Sequence, residues 1–310
     1  MSGREAAKKA LEKKKTPRLA DVFINAFRKI GQDLIWTGAG LLNYPVHCLG
    51  CALEDSTSDS PKLLGTVIDS IDAIDELDAE KALNHPVMQG IIHSHHLIAD
   101  AIGKETVIMP TNWGPLTIAA RILGAEALMM ATIDNPGKLL KLMDFSTELY
   151  WRTAELSINH PDICGMNISD PVSSGDMISP AVFRKFVKPF LKVLVDRARK
   201  IGKYTGIHIC GDSTPILKDV LDINPAYFSI ESKVDLKDAK EILGGKVCVV
   251  GNVSPTGKYL SGTPEDVINE GKECVSAWGD TPGFILSVGC DFPKKVPLEN
   301  VMALMSLKSE

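Results

Sequence analysis

Seven short apolar segments alternate with longer segments of helical periodicity along this 310-residue chain. The predicted strands are residues 33–38, 106–111, 163–169, 205–210, 226–231, 246–252 and 284–290. The predicted helices are residues 20–30, 115–123, 136–158, 180–201, 214–223, 236–243 and 263–277. A strand followed by a helix, repeated with short connections, is typical of a parallel sheet that helices cover. The sequence therefore predicts an α/β fold built from repeated βα units.

Two α/β architectures accommodate such a repeat: a (β/α)8 barrel of TIM type, typically ~250 residues, and an open doubly wound sheet. A dinucleotide-binding open sheet needs a glycine fingerprint after a strand. Gly38 and Gly40 begin one, but Asn43 occupies the third glycine position, and no acidic residue follows a second strand at the expected distance. We therefore predict a single barrel domain over residues 1–310, with a short Lys-rich N-terminal segment.

Composition and charge exclude several classes of function. The formal net charge is −5 and no basic face stands out, so we expect no nucleic-acid partner. No run of about 18 apolar residues occurs, so we expect no membrane span. Seven cysteines without regular pairing, in a chain with no signal-peptide pattern, predict a reducing, cytoplasmic location with free thiols. The pattern does not predict an oligomeric state.

The segment over residues 204–211 places a histidine and a cysteine two residues apart on a predicted buried strand. Alternate residues of a strand share one face, so His208 and Cys210 would point into one cavity. The strand over 284–290 ends in Cys290, which could reach the same point. One nitrogen and two sulfurs leave an open position, as expected of a catalytic zinc site. A buried cysteine is also a common small hydrophobe, and a lone strand histidine is often a core residue.

Three carboxylates near predicted strand ends are candidate site residues: Glu231, Asp170 and Asp176. Glu231 ends the strand after the His-x-Cys strand, where it could be a fourth zinc ligand with a catalytic role, or a solvated rim carboxylate. Asp170 and Asp176 flank a Ser-rich turn and could orient His208 through its other ring nitrogen. We take Asp170 as a catalytic candidate and Asp176 as a substrate-binding candidate. Helix capping is an alternative for the loop that contains Asp176.

Two asparagines and two His-containing motifs complete the candidates. Asn112 and Asn252 end strands at the same predicted barrel mouth, where they could bind substrate or satisfy loop backbone. The motif over residues 47–51 has the His and Cys spacing of a redox or metal site, but it lacks a second ligand pair. The histidines over residues 93–96 lie in a helical stretch, where a solvated helix surface is the commoner explanation. We interpret both motifs as structural.

Several motifs together resemble the uroporphyrinogen decarboxylase superfamily, and more narrowly its cobamide-dependent branch of methylcorrinoid:coenzyme M methyltransferases. The segments that carry the resemblance are 112–117, 169–180, 208–217, 229–235, 251–255, 262–264, 289–290 and 297–300. They cover most of the chain from about residue 45 onward. The resemblance implies a zinc ion held by His208, Cys210 and Cys290. It also implies a methylated corrinoid carried by a partner protein, and a small thiol such as coenzyme M as acceptor.

The chain departs from the family pattern at its beginning. The family opens with a barrel strand before its first long helix, whereas this chain shows seven of the eight strands and a Lys-rich segment over residues 1–18. The first strand is therefore either missing or divergent. The decarboxylases carry an arginine-rich loop after that strand and no cysteine at the two sulfur positions. This chain has cysteines at the two sulfur positions and does not show the arginine-rich loop, so neither comparison favours decarboxylation.

The predicted ligand set indicates which chemistry it suits. A Zn²⁺ with one neutral imidazole and two thiolates has net charge zero, so it activates water poorly compared with His₃ or His₂Glu sites. The same site suits a substrate thiol, whose pKa falls on coordination while its sulfur keeps lone pairs for attack. The sequence therefore predicts a zinc methyltransferase. Two alternatives stay open: a uroporphyrinogen decarboxylase-like lyase, and a non-catalytic module that binds a corrinoid protein or a tetrapyrrole.

Overall fold

The computed structural model describes residues 17–38, 40–54 and 60–307. The strands, numbered β1 to β10, are Leu34–Trp36, Ala52–Glu54, Lys62–Leu64, Val107–Met109, Thr111–Trp113, Gly165–Ser169, Tyr204–His208, Tyr227–Ser229, Cys248–Val253 and Phe284–Val288. The α-helices are Pro17–Ile30, Tyr44–Leu49, Ala79–Leu83, Pro86–Ile102, Pro115–Leu123, Ala125–Asp134, Pro136–Ile158, Pro180–Phe186, Lys188–Lys200, Leu217–Ile223, Leu236–Leu243, Lys258–Ser261, Pro264–Trp278 and Leu298–Met305. Short 3₁₀ turns are Ile71–Glu76, Pro171–Ser173 and Thr214–Ile216.

The barrel strands are all parallel. Six of them form one sheet in the order β10-β9-β8-β7-β6-β5, and β1 pairs with β4. Strands β4 and β5 are separated at Pro110, which has no amide hydrogen for the ladder, and the predicted strand over 106–111 covers β4 and the first residue of β5. The Pro110 carbonyl still accepts a hydrogen bond of 2.8 Å from the Asn167 amide. Parallel strands alternating with helices form the predicted TIM-type α/β barrel.

Strands β1 and β10 are the two ends of this barrel wall. No pairing joins them within residues 17–38, 40–54 and 60–307, and the outer helices Pro17–Ile30 and Leu298–Met305 contact each other. The prediction of a missing or divergent first strand concerns residues 1–18, and all but the last two of these lie outside the described residues. β2 and β3 form a separate antiparallel hairpin.

Aromatic side chains fill the barrel interior. The Tyr227 side chain on β8 lies directly against Gly206 on β7, where an added Cβ would come within 2.2 Å of two ring carbons and the hydroxyl oxygen. This contact explains a glycine in the middle of a buried strand. The Tyr227 hydroxyl accepts a hydrogen bond of 2.7 Å from the Trp36 indole and donates one of 2.9 Å to Asn167. Around Tyr227 the barrel interior is therefore packed, and the Trp36 indole nitrogen and the Tyr227 hydroxyl are both hydrogen-bonded.

The structure divides one predicted helix at a proline and contains helices that the sequence did not predict, among them Ala125–Asp134, Lys258–Ser261 and Leu298–Met305. The predicted helix over 180–201 is two helices that meet at Val187. Pro189 has no amide hydrogen for the carbonyl four residues earlier, so the chain turns at that point. The sequence pattern did not delimit the hairpin of β2 and β3 or the short helices Tyr44–Leu49 and Ala79–Leu83.

Among the described residues, no single helix has both the length and the apolar composition needed to cross a membrane. One pair of helices, Pro115–Leu123 and Ala125–Asp134, meets the criterion only jointly, and it is bent by 105°.

Candidate metal centre

Three potential metal-ligand atoms converge at the carboxyl ends of β7 and β10. The His208 Nε2 atom lies 3.1 Å from the Cys210 sulfur and 3.6 Å from the Cys290 sulfur. The two sulfurs are 3.5 Å apart. Within the part of the chain that the structure describes, this is the sole cluster of three or more His, Cys, Asp or Glu ligand atoms that lie within 4.8 Å of one another. The structure therefore brings together the three residues that the sequence selected as metal ligands.

The spacing of these three atoms fits a tetrahedral zinc. With Zn–S near 2.3 Å and Zn–N of 2.0–2.1 Å, tetrahedral angles require separations of about 3.5–3.8 Å between ligand atoms. The separations of 3.1, 3.5 and 3.6 Å need only a small expansion to meet that requirement. Three protein ligands would leave the fourth coordination position open.

Strand pairing orients the imidazole of His208. His208 is the last residue of β7, where it lies opposite Ser169 of β6 and Ser229 of β8. Its Nδ1 atom is 3.0 Å from the Ser229 hydroxyl oxygen. This contact turns Nε2 toward the sulfurs, as a hydrogen-bonding partner does for a metal-binding histidine.

Gly211 shapes the turn that follows Cys210. Its φ of +70° is in the left-handed region, and an added Cβ would lie 2.3 Å from the Asp176 carboxylate and 2.6 Å from the Ser174 hydroxyl. Glycine is the residue that adopts this conformation without steric cost. The turn lets the chain leave β7 while Cys210 stays beside His208.

The two sulfurs differ in acidity. A hydrogen bond between the Cys210 thiol and the Cys290 sulfur raises the pKa of Cys210, and burial raises it further. The same bond lowers the pKa of Cys290 by stabilising its thiolate, and the neighbouring His208 adds to this effect. Cys290 therefore ionises first, which suits a residue that binds metal as a thiolate.

Glu231 lies next to the cluster without belonging to it. Its carboxylate accepts a hydrogen bond of 2.6 Å from the Gly211 amide and is absent from the group of close ligand atoms. Its residue follows β8 by two positions, at the barrel mouth. The role of Glu231 as a fourth ligand stays a prediction, and it requires the carboxylate to leave Gly211.

Asp170 has a different contact from the expected one. Its buried carboxylate accepts hydrogen bonds from the Leu116 and Thr117 amides and from the Thr117 hydroxyl, at 3.3, 2.8 and 2.6 Å. These groups begin the helix Pro115–Leu123, so Asp170 binds the positive end of that helix. Burial raises the pKa of Asp170, while the bonds from Thr117 oppose the rise. Ser229, not Asp170, contacts the His208 ring.

Asp176 joins three loops at the mouth. It forms an ion pair of 2.7 Å with Lys233 and accepts a 3.2 Å hydrogen bond from the Asp212 amide. The Lys233 ammonium holds the pKa of the Asp176 carboxyl below its usual range. Both side chains are exposed to solvent, so the pair contributes little stability by itself. It nevertheless links the loops after β6, β7 and β8.

The two asparagines differ in exposure. Asn252 is buried, and its side-chain amide donates to the carbonyls of Glu231 and Val234 at 3.2 and 2.7 Å. These bonds support the loop that carries Glu231, which is the loop-backbone alternative from the sequence. Asn112 is half-buried on β5, and its role in substrate binding stays a prediction.

The motif over residues 47–51 and the histidines over residues 93–96 do not join a metal cluster in the described residues. The Cys51 thiol donates to the Ala52 and Gly65 carbonyls, and His47 Nδ1 lies 2.8 Å from the Cys51 carbonyl. His96 contacts the Leu156 carbonyl at 3.1 Å. Their contacts therefore support the structural interpretation.

The family model of uroporphyrinogen decarboxylase (URO-D) matches residues 2–310. The chain belongs to this family. Its relatives include the methylcobamide:CoM methyltransferase MtaA of Methanosarcina barkeri, 27% identical over 222 residues that cover 71% of this chain and 63% of the relative. The chain thus spans under two thirds of that relative's length.

Two further matches agree with the methyltransferase branch. The methylated-thiol–coenzyme M methyltransferase of Methanosarcina mazei is 27% identical over 266 residues, covering 84% of this chain and 68% of the relative. A solved structure of a methyltransferase from Methanosarcina mazei superposes with a TM-score of 0.82 at 26% identity, covering 94% of this chain and 84% of that one. These findings confirm the predicted resemblance and the barrel fold.

Proposed function

We propose that this protein is a zinc methyltransferase that moves a methyl group between a methylated corrinoid, carried by a partner protein, and a small thiol such as coenzyme M. The observation that carries the proposal is the cluster of one imidazole nitrogen and two sulfurs at the barrel mouth. Similarity to methylcobamide:CoM methyltransferases supports the same reaction class.

The residues around the cluster have separate tasks in this proposal. His208, Cys210 and Cys290 would hold the zinc, and Ser229 keeps the imidazole turned toward it. Zinc, when bound, would lower the pKa of a coordinated substrate thiol. Gly211 keeps the sulfur of Cys210 in place through the turn after β7.

The donor set favours thiol chemistry over the alternatives. Two thiolates neutralise the charge of Zn²⁺, which weakens activation of water and of carboxylate substrates. A substrate sulfur in the fourth position would keep electron density for attack on a methyl group. The donor set and the methyltransferase relatives therefore favour methyl transfer over a decarboxylase-like lyase or a non-catalytic module.

Apolar side chains at the mouth support a bulky methyl donor. Met177, in the loop after β6, is 55% exposed, and Phe292, in the loop after β10, is 43% exposed. Phe292 packs edge-on against Tyr259 with ring centroids 5.3 Å apart. We propose that the corrinoid protein contacts these two side chains when it brings the methyl donor to the barrel mouth.

Methyl transfer from free methylcobalamin to a series of thiols tests the proposed function. We expect the rate to persist at pH values where the free thiol is mostly protonated, because coordination lowers the thiol pKa. Initial rates between pH 5 and 9, for thiols with different solution pKa values, measure this. The same assay on metal-stripped protein is the control. Rates that follow the bulk thiolate fraction of every thiol would rule out activation by the metal.

A second test concerns Glu231 as a resting zinc ligand. We expect X-ray absorption spectra of the thiol-free protein to show two sulfur and two lighter scatterers around zinc, and three sulfurs after thiol is added. In the Glu231→Gln variant we expect weaker zinc retention without thiol, and normal retention with it. Asp176→Asn is a matched control at the same mouth. An unaltered resting spectrum in Glu231→Gln would reduce Glu231 to a partner of the Gly211 amide.

A further inference from the structure

An aromatic side chain lies inside the barrel beside the donor cluster. Trp36 is the last residue of β1, and its ring centroid is 6.2 Å from that of His208. Met109, the residue on β4 that pairs with Trp36, is fully buried, whereas Trp36 is partly exposed. The indole is therefore a partly buried ring next to a candidate metal ligand.

Hydrogen bonding and stacking fix this indole. Its nitrogen donates to the Tyr227 hydroxyl at 2.7 Å, and the two rings stack with an interplanar angle of 17°. Tyr227 is itself held by its bond to Asn167 and by its close contact with Gly206. The indole nitrogen is thus already satisfied, so the part of Trp36 that stays free for a ligand is an apolar ring surface.

The position of this surface defines what it can contact. A thiol whose sulfur completed the coordination of His208, Cys210 and Cys290 would hold its carbon substituent close to the donor cluster, and Trp36, with its ring 6.2 Å from that of His208, is an aromatic side chain within reach of such a substituent. An indole that cannot turn sets a fixed limit on the bulk of that substituent, and it favours alkyl carbon over charged groups at close range.

We propose that Trp36 is a specificity-determining residue that forms the apolar wall of the thiol site and selects thiols with a short alkyl substituent. This inference rests on the proposed function of the donor cluster. It assigns Trp36 to the carbon part of the substrate, whereas His208 and the two cysteines bind metal.

Thiol affinity measured without turnover tests the role of Trp36. Protein loaded with Co²⁺ in place of zinc has sulfur-to-cobalt absorption from Cys210 and Cys290, and a coordinating thiol adds a third sulfur that increases it, so titration of the increase gives a dissociation constant for each thiol. We choose mercaptoethanol as the short thiol and phenylmethanethiol as the bulky one. In Trp36→Ala we expect the ratio of the two dissociation constants to shift by about tenfold or more toward the bulky thiol. In Trp36→Phe we expect a smaller shift in the same direction.

Tyr227→Phe is the control for the structural role of Trp36. This variant removes the hydroxyl that accepts the indole hydrogen bond but keeps both rings, so we expect its ratio to stay within about threefold of wild type. A wild-type ratio in Trp36→Ala and Trp36→Phe, with normal cobalt content and bands, would overturn the role of Trp36 alone. If adding thiol leaves the sulfur-to-cobalt absorption of the wild-type protein unchanged, the proposed function is overturned, and the role of Trp36 with it.

Discussion

Replacing Cys290 with alanine is expected to remove most of the bound zinc and with it methyl transfer. The substitution takes one of three protein ligands from a site in which the other two come from a single strand end. If three ligands share a binding free energy of about 10 kcal/mol, one ligand accounts for roughly 3 kcal/mol, or about a 100-fold loss of affinity. Metal analysis by mass spectrometry after dialysis measures zinc per chain.

The matched control for this prediction is another cysteine of the barrel. Cys164 is also a half-buried free cysteine, but it immediately precedes β6, at the end of the barrel opposite the cluster. We expect Cys164→Ala to keep its zinc and Cys290→Ala to keep its far-ultraviolet circular dichroism, because Cys290 lies on the functional rim. Full zinc stoichiometry in Cys290→Ala would show that zinc binds at another site.

The metal cluster was predictable because it depends on strand geometry that a sequence encodes. Residues two apart on a strand share a face, which joined His208 to Cys210 before any contact was known. Parallel barrel strands also end at one rim, which brought Cys290 from β10 to the same place. Both inferences need only the assignment of strands, which apolar runs and turn residues supply.

The neighbours of His208 were not predictable, because strand register decides them. Asp170 and Ser229 belong to segments on either side of β7, and only carboxylates were predicted to orient the His208 ring. In the structure Ser169 lies opposite His208, so Asp170 is one position beyond the strand and turns to the helix Pro115–Leu123. Gly114 permits this approach, because a Cβ there would lie 2.5 Å from the Asp170 side chain.

The interior role of Trp36 was also hidden from the sequence. Its strand has only three residues, and its indole contacts Tyr227 across a separation of 191 positions. Local periodicity carries no information on such a contact. Gly206, in the middle of the predicted His-x-Cys strand, was the single local sign that a large ring would lie there.

The stability of the fold is expected to depend on pH through a histidine far from the metal centre. His95, on the helix Pro86–Ile102, is almost fully buried, and its Nδ1 lies 3.1 Å from the Ser157 hydroxyl. Burial lowers the pKa of His95 from 6.5 to about 4, and the neighbouring His96 adds a smaller repulsion. The folded protein therefore holds His95 neutral at pH values where the unfolded chain protonates it.

The sign of the effect follows from which state binds the proton. Between pH 6.5 and about 4 the unfolded chain binds a proton at His95 that the folded protein does not, so the free energy of unfolding falls as the pH falls. At pH 5 the loss attributable to His95 is about 2 kcal/mol, and it approaches about 3 kcal/mol at lower pH.

Urea unfolding of metal-free wild type and His95→Gln at pH 7 and pH 5 measures this loss, because the glutamine does not titrate. We expect the loss of stability on acidification to be about 2 kcal/mol smaller in His95→Gln. His93→Gln, an exposed substitution on the same helix, should lose as much stability as wild type. Equal losses in all three proteins would mean that His95 is protonated in the folded state, and that its buried site accepts the charge.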